Sequence, residues 1–205
     1  MIEWIQKGGP VMYPIILCSI LAFAIVMERL YHLRRAKIDT KKFMDEIANT
    51  LRRNKIIEAI ELCDKTPGPI PYILKAGIMK HDRPRLEIKE AIEDASLYEV
   101  PRLEKNVAVL ATIAHIAPLL GLLGTVTGML RCFQTIQEKS SSYHPVSPSD
   151  LAGGIWEALI TTVAGLTVGI PALVAYNYFV NRVNNFILDM EKSATDLVNI
   201  LTQKR

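Results

Sequence analysis

Three stretches of the chain carry no charged side chain: Val11 to Met27, Val107 to Leu130 and Ala158 to Val180. Each approaches or exceeds the ~20 residues that a helix needs to cross a hydrocarbon core. A buried helix of a water-soluble protein normally keeps one wet face, so uncharged runs of this length predict three membrane-spanning helices. The first run contains Ala22-Phe23-Ala24, a triplet compatible with leader cleavage. Its flank holds one acid and one base, Glu3 and Lys7, and the apolar run continues past the triplet to Glu28-Arg29, so the segment is expected to be retained.

Between the spans the pattern becomes amphipathic. Phe43, Ile47 and Leu51, then Ile56, Ile57 and Ile60, fall at helical spacing and predict a short helical hairpin over about 40–64. Thr66-Pro67-Gly68-Pro69 ends it, because proline lacks a backbone donor and glycine resists helix. A short helix from about Pro71 to Lys80 and a turn at His81-Asp82-Arg83-Pro84 follow. From Arg85 on, Ile88, Ala91, Ala95 and Tyr98 share a face, and one helix kinked at Pro101 is expected to run into the second span. Ser147-Pro148-Ser149-Asp150 has the form of a capping box at the start of the third long helix. Beyond the third span Val180, Val183, Ile187, Met190, Ala194, Leu197 and Leu201 alternate steps of three and four, an a/d seam that predicts an uninterrupted C-terminal helix packed by neighbours.

No strand-like alternation of useful length occurs, so the expected fold is all-α: a three-span transmembrane helical bundle with long cytoplasmic helical extensions. Its expected parts are a short periplasmic N-terminus (1–10), span one (11–27), a cytoplasmic helical region (28–106) and span two (107–130). A periplasmic loop with the start of the third helix (131–154), span three (155–180) and a cytoplasmic C-terminal helix (181–205) complete it.

Charge sets the expected orientation. Of 24 Lys and Arg residues, 17 lie in residues 28–106, whereas Arg131 and Lys139 are the only bases of residues 131–154. Positive charge near short loops marks the cytoplasmic side, which puts the N-terminus in the periplasm and the C-terminus in the cytoplasm. A formal net charge of +3, with no basic patch interleaved with aromatics, does not point to nucleic acid. Cys18, Cys63 and Cys132 are too scattered for a disulfide or metal framework and are expected as free thiols. No metal, cofactor or enzymatic constellation is expected: there is no Ser/His or paired-Asp arrangement at membrane depth.

Glu157 is the one carboxylate placed at the edge of a span, followed by more than twenty uncharged residues. An ionised side chain at mid-membrane costs ~2.5–3.5 kcal/mol, so Glu157 should face protein or water, either as an interfacial anchor or as part of an ion path. At ~100° per residue Thr161 shares the face of Glu157, whereas Thr162 groups with Ala158, Gly165 and Gly169. In span two Ala114, Pro118, Gly121, Thr125 and Gly128 form a stripe that serves either a narrow pore lined by Thr125 or close helix packing. Gly124 and Pro171 join the residues expected to shape the packing. His115 lies off that stripe among Leu119, Leu122 and Val126; a proton relay is open to it, but its apolar face favours a neutral imidazole hydrogen-bonded between helices.

Two segments carry a resemblance. Ala117-Pro118-Leu119-Leu120-Gly121-Leu122-Leu123-Gly124-Thr125-Val126-Thr127-Gly128, together with Ser149-Asp150-Leu151-Ala152-Gly153-Gly154-Ile155-Trp156-Glu157-Ala158-Leu159-Ile160-Thr161-Thr162, resembles the MotA/TolQ/ExbB proton-channel family, nearest its ExbB branch. The resemblance implies a homopentameric ring around single-span helices of an ExbD/TolR-like partner bearing a membrane aspartate, with energy passed to a TonB-like effector. It also implies that Thr125, Glu157 and Thr162 line the proton pathway; this favours Thr162 over Thr161, which remains the second candidate. Three spans place the chain with ExbB and TolQ rather than with the four-span flagellar stators. A TolQ-like role in envelope maintenance and a non-conducting oligomeric scaffold are the alternative functions.

Overall fold

A computed structural model describes residues 7–36, 38–141 and 147–203. Among these residues every regular element is helical: α1 (Met12–Arg35), α2 (Thr40–Arg52), α3 (Ile56–Lys65), α4 (Pro69–Met79), α5 (Arg85–Glu104), α6 (Val107–Ser141) and α7 (Pro148–Gln203). Among the described residues three helices are long and apolar enough to cross a membrane, their apolar windows falling in α1, α6 and α7. The chain divides into two compact units, one holding residues 1–27 and 106–178, the other residues 28–105 and 179–205.

In the membrane-spanning unit the small residues of α6 meet those of α7. A Cβ at Gly121 would lie 2.9 Å from the Thr161 carbonyl oxygen and 3.1 Å from Thr162 Cα, and one at Gly165 would meet Ala117 O and Gly121. Gly128 faces Gly154 and Ala158, and Gly169 faces Pro118. Rising numbers on α6 pair with falling numbers on α7, so the two helices are antiparallel, and absent side chains let their backbones touch. Large apolar side chains point away from this seam: Phe23, Leu119, Leu122, Leu159 and Val174 are all more than half exposed. Such a surface requires lipid or further subunits.

The polar unit is built on amphipathic faces. Asp39 caps α2, its Oδ1 accepting from Lys42 N at 3.2 Å, and Phe43, Ile47 and Leu51 form the buried face. Asn54 takes a left-handed φ of 63° in the turn to α3, where Ala59 and Cys63 are buried. Gly68, at φ 138°, brings the chain into α4 with Pro69 in its first turn, so this helix begins two residues before the expected Pro71. Close packing of α4 on α5 and α7 centres on Gly77, where a Cβ would fall 2.7 Å from Ile92 and 3.1 Å from Leu197.

Two expectations about α5 change. The buried face of α5 runs through Ile88, Ile92, Ala95 and Leu103, while Tyr98 is 71% exposed, because Ile92 rather than Ala91 occupies the position against Gly77. The helix expected to run unbroken from Arg85 into the second span stops at Glu104. Asn106, at φ 61°, turns the backbone before α6 starts at Val107, a conformation that asparagine tolerates better than most residues. Arg29 of α1, 3% exposed, donates to the carbonyls of Arg102 and Leu103 at 3.3 and 3.4 Å and so satisfies the end of α5.

In α7 the helix is continuous past Pro171, as the absence of a stop signal after the span predicts. Its buried stripe beyond the span runs through Phe179, Val183, Phe186, Met190, Ser193 and Leu197, with Val180, Ile187 and Ala194 only half-buried. Four of the seven expected seam positions, Val183, Met190, Leu197 and Leu201, are thus buried, and the other three give way to the preceding residues Phe179, Phe186 and Ser193. The expected capping carboxylate, Asp150, and the basic Lys204 and Arg205 lie outside the described side chains; Ser147 Oγ is 2.6 Å from Ser149 Oγ at the start of α7.

Candidate functional site

Glu157 sits two turns into α7 and is 4% exposed. One carboxylate oxygen, Oε2, accepts from Arg131 Nη1 of α6 in an ion pair. The other, Oε1, is buried and has no hydrogen-bond donor among the described residues. Over it lies Gly9, whose φ of 64° is open to glycine and whose missing side chain makes room, since a Cβ there would overlap Oε1. Beside it Lys7 Nζ stands 5.8 Å from the ring centroid of Trp156, a cation–π contact. The expected acid thus has a base on the neighbouring helix and a backbone lid from the N-terminal segment. Neither was evident from residue spacing, although antiparallel packing of adjacent spans sets the last position of one level with the first turns of the next, which is where Arg131 stands.

The hydroxyls divide. Thr161 is fully buried, its Oγ1 donating to Glu157 O at 2.9 Å and Ala158 O at 3.0 Å, and it fills the gap left by Gly124, where any Cβ would collide with it. Thr162 is half-buried and its Oγ1 lies within 3.3 Å of Gly121 O on α6 and 3.1 Å of Ala158 O. Thr125, also half-buried, donates to Leu122 O at 2.6 Å within its own helix. Of the three, Thr162 alone ties α7 to α6 by a hydrogen bond, while Thr125 keeps a flank open.

His115 is exposed, with Nδ1 2.7 Å from Ala111 O one turn back. Its bond stays within α6 and does not reach another helix of this chain. Pro171 is exposed within this chain as well, and the proline facing a glycine across the α6–α7 contact is Pro118, against Gly169. Among the described residues no group of three or more His, Cys, Asp or Glu side chains is arranged to hold a metal ion, and all three cysteines are free. Cys63, buried in the polar unit, has its thiol pushed up to about 12 by burial first, then by Asp64, with Lys75 opposing.

A multi-pass α-helical membrane protein with an acid at the edge of one span, paired to an arginine at the edge of the next, is the class that fold and site define. The MotA/TolQ/ExbB proton channel family matches residues 65–192, well over half of the chain, and this protein belongs to that family. It is 27% identical over 191 residues to an ExbB homolog of biopolymer transport from Methanothermobacter thermautotrophicus, covering 93% of this chain and 66% of that one. It is 29% identical over 219 residues to the biopolymer transport protein ExbB of Neisseria meningitidis, covering 97% and 96% of the two chains. To the Tol-Pal system protein TolQ of Haemophilus influenzae it is 30% identical over 195 residues, covering 89% and 83%. It is a proton-channel family subunit and a multi-pass protein of the inner membrane.

Proposed function

We infer that the chain is the ring-forming subunit of an ExbB/ExbD-type motor, which uses the proton gradient to drive an outer-membrane process through a TonB-like effector. The observation that carries this reading is the family match across both α6 and α7, joined to a buried acid at the edge of the third span. In the assembled state copies of α6 and α7, five by family resemblance, would surround single-span helices of an ExbD/TolR-like partner, and their exposed apolar flanks would be covered by one another and by lipid. Protons would pass by way of the partner's membrane aspartate. Thr125 and Thr162 would face it, with Thr161 as the alternative to Thr162, and Glu157 would set the potential at the periplasmic mouth. The electrical driving force is ~2.3 kcal/mol per charge per 100 mV, enough to bias a step between neighbouring sites. The N-terminus would be periplasmic and the C-terminus cytoplasmic, in keeping with the 17 bases of residues 28–106.

A TolQ-like role in envelope maintenance is the second reading, favoured by the 30% identity to a TolQ protein. Both share the same ring chemistry and differ in the effector. Co-purification of a small single-span partner, followed by assay of proton-gradient-dependent work in cells, tests the common part. Thr125→Ala or Glu157→Ala is expected to abolish that work while the oligomer persists. Full activity in both variants would leave only a passive scaffold.

A further inference from the structure

The end of α1 carries a cavity of about 500 Å³ unrelated to the proton-path residues. Its walls come from three places: the last turns of α1, the loop and first turn at Pro67–Pro69 and Tyr72 of α4, and the C-terminal turns of α5. Basic groups dominate, with Arg29, Arg35, Arg102 and Lys105 joined by His32. Two acids offset part of this charge, Glu28 bonded to Arg29 at 3.0 Å and Glu99 to Arg102 at 2.8 Å. Arg35 and Lys105 enter no ion pair among the described residues. Arg29 is the most confined cation, its side chain 4% exposed and its Nε buried without an acceptor among the described residues. Beside it α4 begins at Gly68 with no side-chain cap, so the positive end of that helix also borders the space.

The position along the sequence is equally specific. Glu28 and Arg29 follow the last apolar residue of the first span, and Lys105 stands two residues before the second span opens at Val107. Two of the three walls therefore belong to the junction between hydrocarbon-crossing and polar segments, the depth at which phospholipid phosphates lie. Cationic side chains gathered around a cleft favour a tetrahedral oxyanion, and arginine matches phosphate in geometry as well as charge. Arg35 and Lys105 are exposed at its rim, and among the described residues Arg29 Nε is the one guanidinium nitrogen buried without an acceptor. We propose that this cavity is a binding site for the phosphate headgroup of an anionic phospholipid, held by Arg29, Arg35 and Lys105, with Tyr72 lining the same space. Arg29 also secures the end of α5, so headgroup binding would stiffen the junction where α5 gives way to α6.

The test uses the full-length chain purified in detergent, stripped of lipid and titrated in native mass spectrometry with short-chain phosphatidylglycerol, short-chain phosphatidylcholine or inorganic phosphate. Phosphatidylglycerol is expected to bind at least tenfold more tightly than phosphatidylcholine. Arg35→Gln/Lys105→Gln, which spares Arg29 and its structural bonds, is expected to weaken it about 10- to 30-fold, as two headgroup cations imply. Arg34→Gln/Lys41→Gln removes the same charge outside the cavity and is expected to leave binding unchanged. Equal binding of the two lipids, no effect of the cavity variant, or an equal loss in the control variant would overturn the proposal. Displacement of phosphatidylglycerol by inorganic phosphate at low millimolar concentration would overturn the lipid as the source of the anion.

Discussion

At the scale of single residues, Glu157 is defined by the imbalance between its two oxygens. Arg131 compensates one, while the other is buried under Gly9 with no donor, so among the described residues the carboxylate depends on a single partner. Removing that partner leaves a buried charge uncompensated. Because the Arg131 side chain is 49% exposed, the loss is moderated by solvent: Arg131→Gln should lower stability by about 1–2 kcal/mol in chemical denaturation, and Glu157→Gln in the same background should restore part of it. An additive double variant would show that the pair is not coupled. Gly9→Ala should disturb the same site, since the substitution is strained at φ 64° and its methyl would occupy the space of Oε1. Cys63 gives a prediction in the polar unit. Its thiol is raised from 9.0 to about 12, so the folded protein resists forming the thiolate that the unfolded chain forms more easily. The stability this contributes is complete below pH 9.0 and is lost as pH rises toward 12, and maleimide labelling of Cys63 at pH 8 should be slow until the protein is unfolded. Rapid labelling of the folded protein would contradict the buried position.

At the scale of elements, close approach of α6 and α7 rests on particular absent side chains. Gly124→Ala puts a methyl onto Thr161, which is fully buried and has nowhere to move, and should cost about 1–3 kcal/mol. Gly153→Ala is the matched control: nothing lies within 4 Å of its Cβ, so the helix should gain up to about 1 kcal/mol. Thermal unfolding of both variants in one detergent reads the difference, and equal melting temperatures would mean that the seam is not tight. The long elements were legible in the sequence because span length, charge exclusion and the run without stop signals are strong patterns. The break at Asn106 was not, because it depends on a backbone conformation that asparagine permits without announcing, and on Arg29 arriving from another helix. The α5 face was misjudged for a related reason: Ala91 and Ile92 both suit a helical period, and only the presence of Gly77 decides between them. Glu157 stood out as a lone acid beside a span, whereas its partner Arg131 read simply as a loop base, since pairing between helices requires their register.

At the scale of the whole molecule, the chain combines a unit of uncharged spans with a unit of charged amphipathic helices, and α7 belongs to both. Its exposed leucines, valines and phenylalanines along the spans are tolerable only in lipid or against further copies, which agrees with membership of a channel-forming family. The expected orientation can be read with cysteines placed at either end of the second span: a membrane-impermeant maleimide added to intact cells with a permeable outer membrane should label Gln137→Cys and spare Lys89→Cys. The reverse pattern would invert the topology. The central claim is conduction, and its most direct measurement is proton flux into liposomes carrying the chain together with its co-purified single-span partner under an imposed potential. The account predicts flux above that of protein-free vesicles for the native complex, falling at least tenfold in Glu157→Ala and in Thr125→Ala with the oligomer intact. Undiminished flux in both variants, or none in the native complex, would contradict it.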